Sequence, residues 1–276
     1  MPWTEAGYRA WSQALVERVE ADPRVLGLVA LGSMAEQGTR PDRWSDHDFF
    51  LVVASGWEEA LRRNLGWLPD PESLVFSYRE TRHGVKALYR DGHLIELAVF
   101  TLAELGVARV NRYRVLLDRG GVAAALSRVR AETVAAIARE SPDVGWRVGQ
   151  LLTHLLVGVG RWARGEKLAG AESIRLHALR DLVGLLARLV PPADPTLADD
   201  LDPLRRFERV WPDLGRELDL LLEQPPLGVA QGLLDLAERE VGSRLAEFPH
   251  DGLATVRRAL QEAGWATGAD PLHSPR

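Results

Sequence analysis

Three acids set in apolar surroundings are the residues of this chain best suited to chemistry. Asp46-His47-Asp48 leads into the apolar run Phe49–Val53, and Glu96 stands inside HLIELAVF, residues His93–Phe100. Side chains alternate along a strand, so Asp46 and Asp48 are expected on one face, about 7 Å apart, with His47 on the other. Such a pair suits hard divalent cations, and magnesium is typically held by one or two carboxylates with water and substrate phosphates. Glu96, between Ile95 and Leu97, is costly to bury alone and is expected to face a metal or a substrate cleft. Upstream, Val25–Leu31 ends in Gly32-Ser33 and a short helical turn closed by Gly38. Glycine lets the backbone approach a ligand, amides at a helix start favour anions, and the Ser33 hydroxyl adds a donor for phosphate. Twelve residues separate Ser33 from Asp46. A phosphate-holding turn beside a metal-holding pair is equipment for in-line displacement at the α-phosphorus of a nucleotide.

The elements that must position these residues are legible in outline. Tyr8, Trp11, Leu15 and Val19, at spacings of three and four, predict an amphipathic helix over residues 4–21. Val25–Leu31 and Asp48–Val53 read as strands buried on both faces. Leu74–Tyr78 and Val85–Tyr89 are shorter strands, and Asp91-Gly92 joins the latter to His93–Phe100 as a hairpin. In the last strand Glu96 shares a face with Leu94 and Ala98, while Ile95, Leu97 and Val99 line the opposite one. Tyr113–Leu117 ends the strand-rich part at Asp118-Arg119-Gly120-Gly121. Helices then follow. Ser141-Pro142 reads as an N-cap with proline at the first helical position, and further helices fit Glu172–Leu189, Pro203–Val210, Pro212–Leu222, Val229–Phe248 and Gly252–Ala263.

Gly32-Ser33, the twelve-residue spacer, Asp46-His47-Asp48 and the later strand acid Glu96 together resemble the signature of the DNA polymerase β-like nucleotidyltransferase superfamily. The phrase Trp44-Ser45-Asp46-His47-Asp48-Phe49 is most similar to the nucleotidyltransferases of aminoglycosides and lincosamides. Arg205-Arg206-Phe207-Glu208 and Trp211-Pro212 are similar to the same group, with less diagnostic force. The resemblance implies an α+β nucleotidyltransferase domain with a mixed sheet and helices over residues 1–120. An all-α helical bundle over 121–266 would shape the acceptor site; residues 267–276 carry no periodic signal and read on that ground as a disordered tail. The resemblance further implies catalytic residues Asp46, Asp48 and Glu96, with Gly32 and Ser33 binding the nucleotide; Arg40 and Arg43, in the loop between the phosphate turn and the metal strand, are nucleotide-binding candidates for a triphosphate contact or else solvated loop arginines. Two Mg2+ ions would be held by Asp46, Asp48 and Glu96, with ATP or another NTP as co-substrate. Glu96 could be a third metal ligand or the base that deprotonates the acceptor hydroxyl. The expected reaction moves AMP from ATP to a hydroxyl of a small, antibiotic-like molecule, an activity that would serve antibiotic resistance. The alternatives are transfer to a protein or RNA hydroxyl, and a catalytically silent nucleotide-binding regulator.

Other residues have plainer readings. Asp42, after Pro41, is a turn residue, Trp44 is expected to anchor its loop, and Lys86 and Arg90 are weaker phosphate contacts. Glu172, Asp181 and Glu208 are candidates to line an amine-binding cleft, although each alone is expected to be a surface acid. His154 and His177 lack metal-ligand spacing and read as core or surface histidines.

Composition bounds the classes of function. The 276 residues suit about two domains of ~150 residues, and 46% hydrophobic with 26% charged residues is globular. The 39 acids against 34 bases give a net charge of −5, against the basic excess of a nucleic-acid binder and mildly in favour of a cationic partner. Setting the three site acids aside weakens that second inference. The absence of cysteine excludes disulfides, zinc–thiolate and iron–sulfur sites and a cysteine nucleophile. No basic-then-apolar leader opens the sequence and no apolar run reaches the ~18 residues of a span, so a cytoplasmic protein without membrane contact is expected. The sequence leaves the oligomeric state open.

Overall fold

A computed structural model describes residues 4–35, 41–140, 143–199 and 201–268. Two compact units make up the chain, one to Arg139 and one from Glu140. The first opens with α1 (Glu5–Glu20), whose N-cap Thr4 accepts a hydrogen bond from Gly7 N, and which buries the expected stripe Tyr8, Trp11, Leu15 and Val19. β1 (Val25–Leu31), β2 (His47–Val53), α2 (Glu58–Arg63), β3 (Leu74–Arg79), β4 (Gly84–Tyr89), β5 (Leu94–Phe100), β6 (Tyr113–Asp118) and α3 (Val122–Glu140) follow. The six strands form one mixed sheet in the order β3-β4-β5-β2-β1-β6. Only β2 and β5 run parallel among its pairs.

Each face of the sheet has its own core, because alternate side chains point to opposite sides. Leu28, Phe49, Leu51, Val85, Ile95 and Leu97 pack with α1. Val29, Val52 and Phe100 pack with Val122, Leu126 and Val129 of α3. Helix α3 falls in the stretch expected to be helical from residue 121, but it packs on the sheet, and its bounds are unmarked in the sequence because alanine blurs the apolar contrast that periodicity needs.

The β4–β5 hairpin forms as expected, but around a three-residue loop rather than a two-residue one. Tyr89 N donates to the His93 carbonyl at 2.9 Å, and Gly92 closes the loop at φ +89°, a conformation open to glycine. That loop sets the register, so that Lys86 lies opposite Glu96.

The second unit is helical: α4 (Val144–Ala163), α5 (Lys167–Glu172), α6 (Leu179–Leu189), α7 (Phe207–Val210), α8 (Pro212–Leu222), α9 (Pro226–Leu236) and α10 (His250–Gly268). Leu151, Leu155, Ile174, Leu182, Leu233 and Val256 belong to its core. The mixed sheet followed by helices is the fold class anticipated above. Details differ. Ser141-Pro142 and residues 269–276 lie outside the described residues, and Asp143 caps α4 by accepting from Trp146 N. The helix expected over Glu172–Leu189 starts at Lys167 and contains a π-helical turn, Ser173–Ala178. The one expected over Pro203–Val210 contracts to Phe207–Val210, because Arg206 stands at φ +62°, outside helical geometry. That over Val229–Phe248 starts at Pro226, changes to a π-helical turn at Ala237, and ends in a 3-10 turn, Gly242–Arg244. Among the described residues no helix is long and apolar enough to cross a membrane.

Candidate active site

The sheet brings the phosphate-type turn and two of the three acids to one place. β1 ends in a 3-10 turn, Gly32–Ala35, and Gly32 adopts φ +48°. A Cβ on Gly32 would stand 3.7 Å from Asp48 Oδ2, so the turn lies directly beside this carboxylate. Asp48 is paired in register with Glu96 across the parallel strands β2 and β5, which puts both acids on one face. The opposite face takes His47, as alternation requires, and His47 is 0% exposed. Asp46 directly precedes β2.

Glu96 has a cationic partner. Lys86 Nζ lies 2.9 Å from Glu96 Oε1 and 3.0 Å from Glu80 Oε1. Its bonds to Glu96 and then Glu80 hold the ammonium well above the ordinary lysine range, so Lys86 stays charged. The sequence had offered Lys86 as a phosphate contact; the structure gives it two carboxylates instead. Among the described residues no three histidines, aspartates or glutamates converge to hold a metal. Asp46 and Asp48 supply the hard oxygen donors that magnesium prefers, and magnesium characteristically completes its shell with water and phosphate oxygens.

Behind the acids lies a buried network that sequence reasoning missed. Tyr8 Oη donates to the Asp46 carbonyl at 2.9 Å and lies 3.3 Å from Ser33 Oγ, which itself reaches the same carbonyl at 3.4 Å. Helix α1 thereby ties the turn after β1 to the entry of β2. The Tyr8 ring stacks on His47 at 3.7 Å. His47 Nε2 meets Ser12 Oγ at 2.8 Å, and Nδ1 meets His93 Nε2 at 2.6 Å. Burial first, and then the charge of His93, push the His47 pKa down to about 2; burial pushes His93 down to about 4, against the opposing pull of Asp91. Both imidazoles are therefore neutral at pH 7, one donating to the other. Arg114 is a second omission. It sits within the β6 run and donates from Nη2 to the Met34 carbonyl at 3.3 Å, bringing a guanidinium to the Gly-Ser turn.

No family model and no curated protein matches the chain. Among solved structures it is similar to an aminoglycoside 6-adenyltransferase from Bacillus subtilis, at 12% identity and TM-score 0.38, covering 95% of this chain and 99% of that one. It is also similar to a nucleotidyltransferase-like protein from Exiguobacterium sibiricum, at 15% identity and TM-score 0.29, covering 95% and 77%. A third is the CD-NTase CdnG of Bradyrhizobium diazoefficiens in complex with GTP, at 14% identity and TM-score 0.29, covering 96% and 93%.

The remaining candidates fall into three groups. Arg40 and Gly38 lie outside the described residues. Arg43 is exposed and stacks its guanidinium 4.1 Å from the centre of the Trp44 ring. Trp44 itself is 79% exposed, so it does not anchor the loop. Asp42 does that work as the expected turn residue, its Oδ1 accepting from Trp44 N at 2.8 Å and from Ser45 Oγ at 3.2 Å. In the helical unit Asp181 is a correction. It is 8% exposed rather than a surface acid, bonded through Oδ2 to His154 Nδ1 at 2.7 Å and 3.9 Å from Arg147. A buried carboxylate so occupied is a packing residue of the α4–α6 contact and not an open amine ligand.

Proposed function

We propose that this chain is a metal-dependent nucleotidyltransferase that moves a nucleoside monophosphate from a triphosphate to a hydroxyl of a small molecule. ATP is the expected donor and an aminoglycoside or lincosamide the expected kind of acceptor. One observation carries the reading: the positive-φ Gly32 turn lies against the Asp48 carboxylate, with Glu96 in register on the neighbouring strand. A turn of this shape suits phosphate oxygens, and an acid beside it suits the cation that accompanies them.

Asp46 and Asp48 would hold magnesium. When bound, the ion neutralises phosphate charge and orients the triphosphate. The Gly32-Ser33 turn receives the phosphates, with Arg114 as a nearby cation and Arg43 offered from the loop before β2. The acceptor oxygen attacks the α-phosphorus, the bond from that phosphorus to the bridging oxygen breaks, and pyrophosphate leaves with the electron pair. Glu96 takes the hydroxyl proton. Its Oε1 is already engaged by the Lys86 ammonium, which speaks against a third metal ligand at this oxygen. Tyr8 and the histidine pair do no chemistry and hold the acid-bearing loop in place.

The test incubates the protein with Mg2+, each of the four NTPs and a panel of aminoglycosides and lincosamides, and reads acceptor mass. A gain of one nucleoside monophosphate that vanishes in Asp48→Asn supports the reading. Triphosphate binding without consumption under every acceptor would leave a nucleotide-binding regulator in its place.

A further inference from the structure

The catalytic face of the sheet continues past Glu96 to a feature that the phosphate site does not use. Lys86 of β4 is registered with Glu96, and Tyr78 of β3 with Lys86, so Tyr78, Lys86, Glu96 and Asp48 form one row across four strands. Two residues from Tyr78, and so on the same face, stands Phe76, opposite Leu88. The two rings pack against each other at 5.6 Å between centroids. They stay open to solvent, Phe76 58% and Tyr78 44% exposed, on the edge strand of the sheet. Large aromatic groups left exposed as a pair mark contact surfaces more often than scattered single ones do.

Direction along the row decides the occupant. The Gly32 turn meets Asp48 from the β1 side, so phosphates enter there. The aromatic pair lies on the β5-β4-β3 side, beyond the residue that takes the proton. Its neighbours are charged, Lys86 bridging the carboxylates of Glu96 and Glu80. A ligand that stacks an apolar ring face on Phe76 and Tyr78 while offering hydroxyl or amino groups to Glu96, Lys86 and Glu80 suits both halves of the strip.

Resting on the nucleotidyl-transfer reading of Asp48 and Glu96, we infer that Phe76 and Tyr78 form the platform of the acceptor subsite, and that its ligand is built of hydroxylated, sugar-type rings. A ligand seated on the pair brings a hydroxyl to Glu96 by spanning the Lys86 strand, about 10 Å or two strand spacings, which calls for more than one linked ring. The edge position of β3 makes the platform accessible, and the register fixes its distance from the base.

The experiment uses the full chain and two probes, streptomycin and lincomycin, followed by saturation-transfer NMR and by calorimetry without nucleotide. Phe76→Ala/Tyr78→Ala replaces exposed side chains, and its fold is checked by circular dichroism and by ATP binding in Mg2+. The expected result is saturation of the ring C–H protons of at least one probe. The double variant weakens that probe about tenfold and leaves ATP affinity unchanged. Phe76→Tyr/Tyr78→Phe, which keeps both rings, restores binding. Unchanged probe affinity in the alanine variant overturns the inference, as does failure of both probes to bind the native chain. The two readings separate cleanly: glycoside binding that depends on Phe76 and Tyr78, without transfer from any NTP, would retain the platform and remove the transferase.

Discussion

The tie between α1 and the acid-bearing loop can be measured as a coupling energy. Tyr8→Phe removes the hydroxyl that donates to the Asp46 carbonyl and keeps the ring that stacks on His47. A neutral hydrogen bond of this kind is worth about 1 kcal/mol net, and a buried acceptor left without a donor costs about 1–3 kcal/mol. Which figure applies depends on Ser33, whose Oγ lies 3.4 Å from the same carbonyl and can close on it. The single variant should therefore lose only about 1 kcal/mol, and Ser33→Ala no more, because each leaves the other hydroxyl in place. The double variant removes both and should lose about 3 kcal/mol, a coupling of about 1 kcal/mol. The chain has two units, so a single global transition is not the right observable. Hydrogen exchange of the β1 and β2 amides in the four proteins reports the opening free energy of the first unit alone. In transfer assays Tyr8→Phe should lower kcat about tenfold, or ~1.4 kcal/mol, with acceptor KM unchanged. Additivity of the two substitutions within ~0.3 kcal/mol would refute the shared-carbonyl argument.

Three further outcomes follow from the same structure. The folded pKa values of His47 and His93, about 2 and about 4, lie below the ordinary histidine value of about 6.5, so below pH 6.5 the unfolded chain binds protons that the folded one does not. Stability of the first unit should be flat above pH 7 and fall toward pH 5 by up to about 1.4 kcal/mol per pH unit per histidine; opening free energies from hydrogen exchange of the β2 and β5 amides, followed from pH 7 to pH 5 in native and His93→Gln proteins, should show the slope roughly halved in the variant. Arg62 is buried, donates twice to the Val99 carbonyl and pairs with Glu104 at 2.8 Å, so Arg62→Met should cost about 3 kcal/mol, read by exchange of the β5 amides. In the helical unit Asp181→Ala strands His154 and Arg147 and should cost about 3 kcal/mol, whereas Asp181→Asn keeps an acceptor for His154 and should cost nearer 1 kcal/mol; exchange of the α4 and α6 amides distinguishes them.

Local signals carried the reading of the first unit far. β1 runs from Val25 to Leu31 as its apolar run does, and α1 buries the four residues that its spacing singled out. Glu96 and Asp48 share a face because alternation is a local rule, and the strands need only align. What stayed hidden depends on distance or on a one-residue choice. His47 and His93 meet across 46 positions, and nothing in either neighbourhood specifies the other. Lys86 meets Glu96 because the hairpin loop has three residues; with two, every pairing would slip by one and the side chains would change faces. α3 lies in the stretch expected to be helical from residue 121, but its bounds are unmarked because alanine is a strong helix former that adds almost nothing to apolar periodicity. The π-helical turn at Ser173–Ala178 and the left-handed Arg206 reflect packing in the helical unit, for which the sequence carries no punctuation such as glycine or proline at those positions.

The central claim is that Asp48, Glu96 and the Gly32 turn are one reaction centre. Mass spectrometry of the acceptor after incubation with Mg2+ and [α-18O]-labelled ATP, for native chain, Asp48→Asn and Glu96→Gln, tests it most directly. The native chain should give an acceptor heavier by one labelled AMP, Asp48→Asn none, and Glu96→Gln turnover reduced about 100-fold or more while ATP binding persists. Unchanged turnover in Asp48→Asn, or labelled product formed equally well by Glu96→Gln, would contradict it.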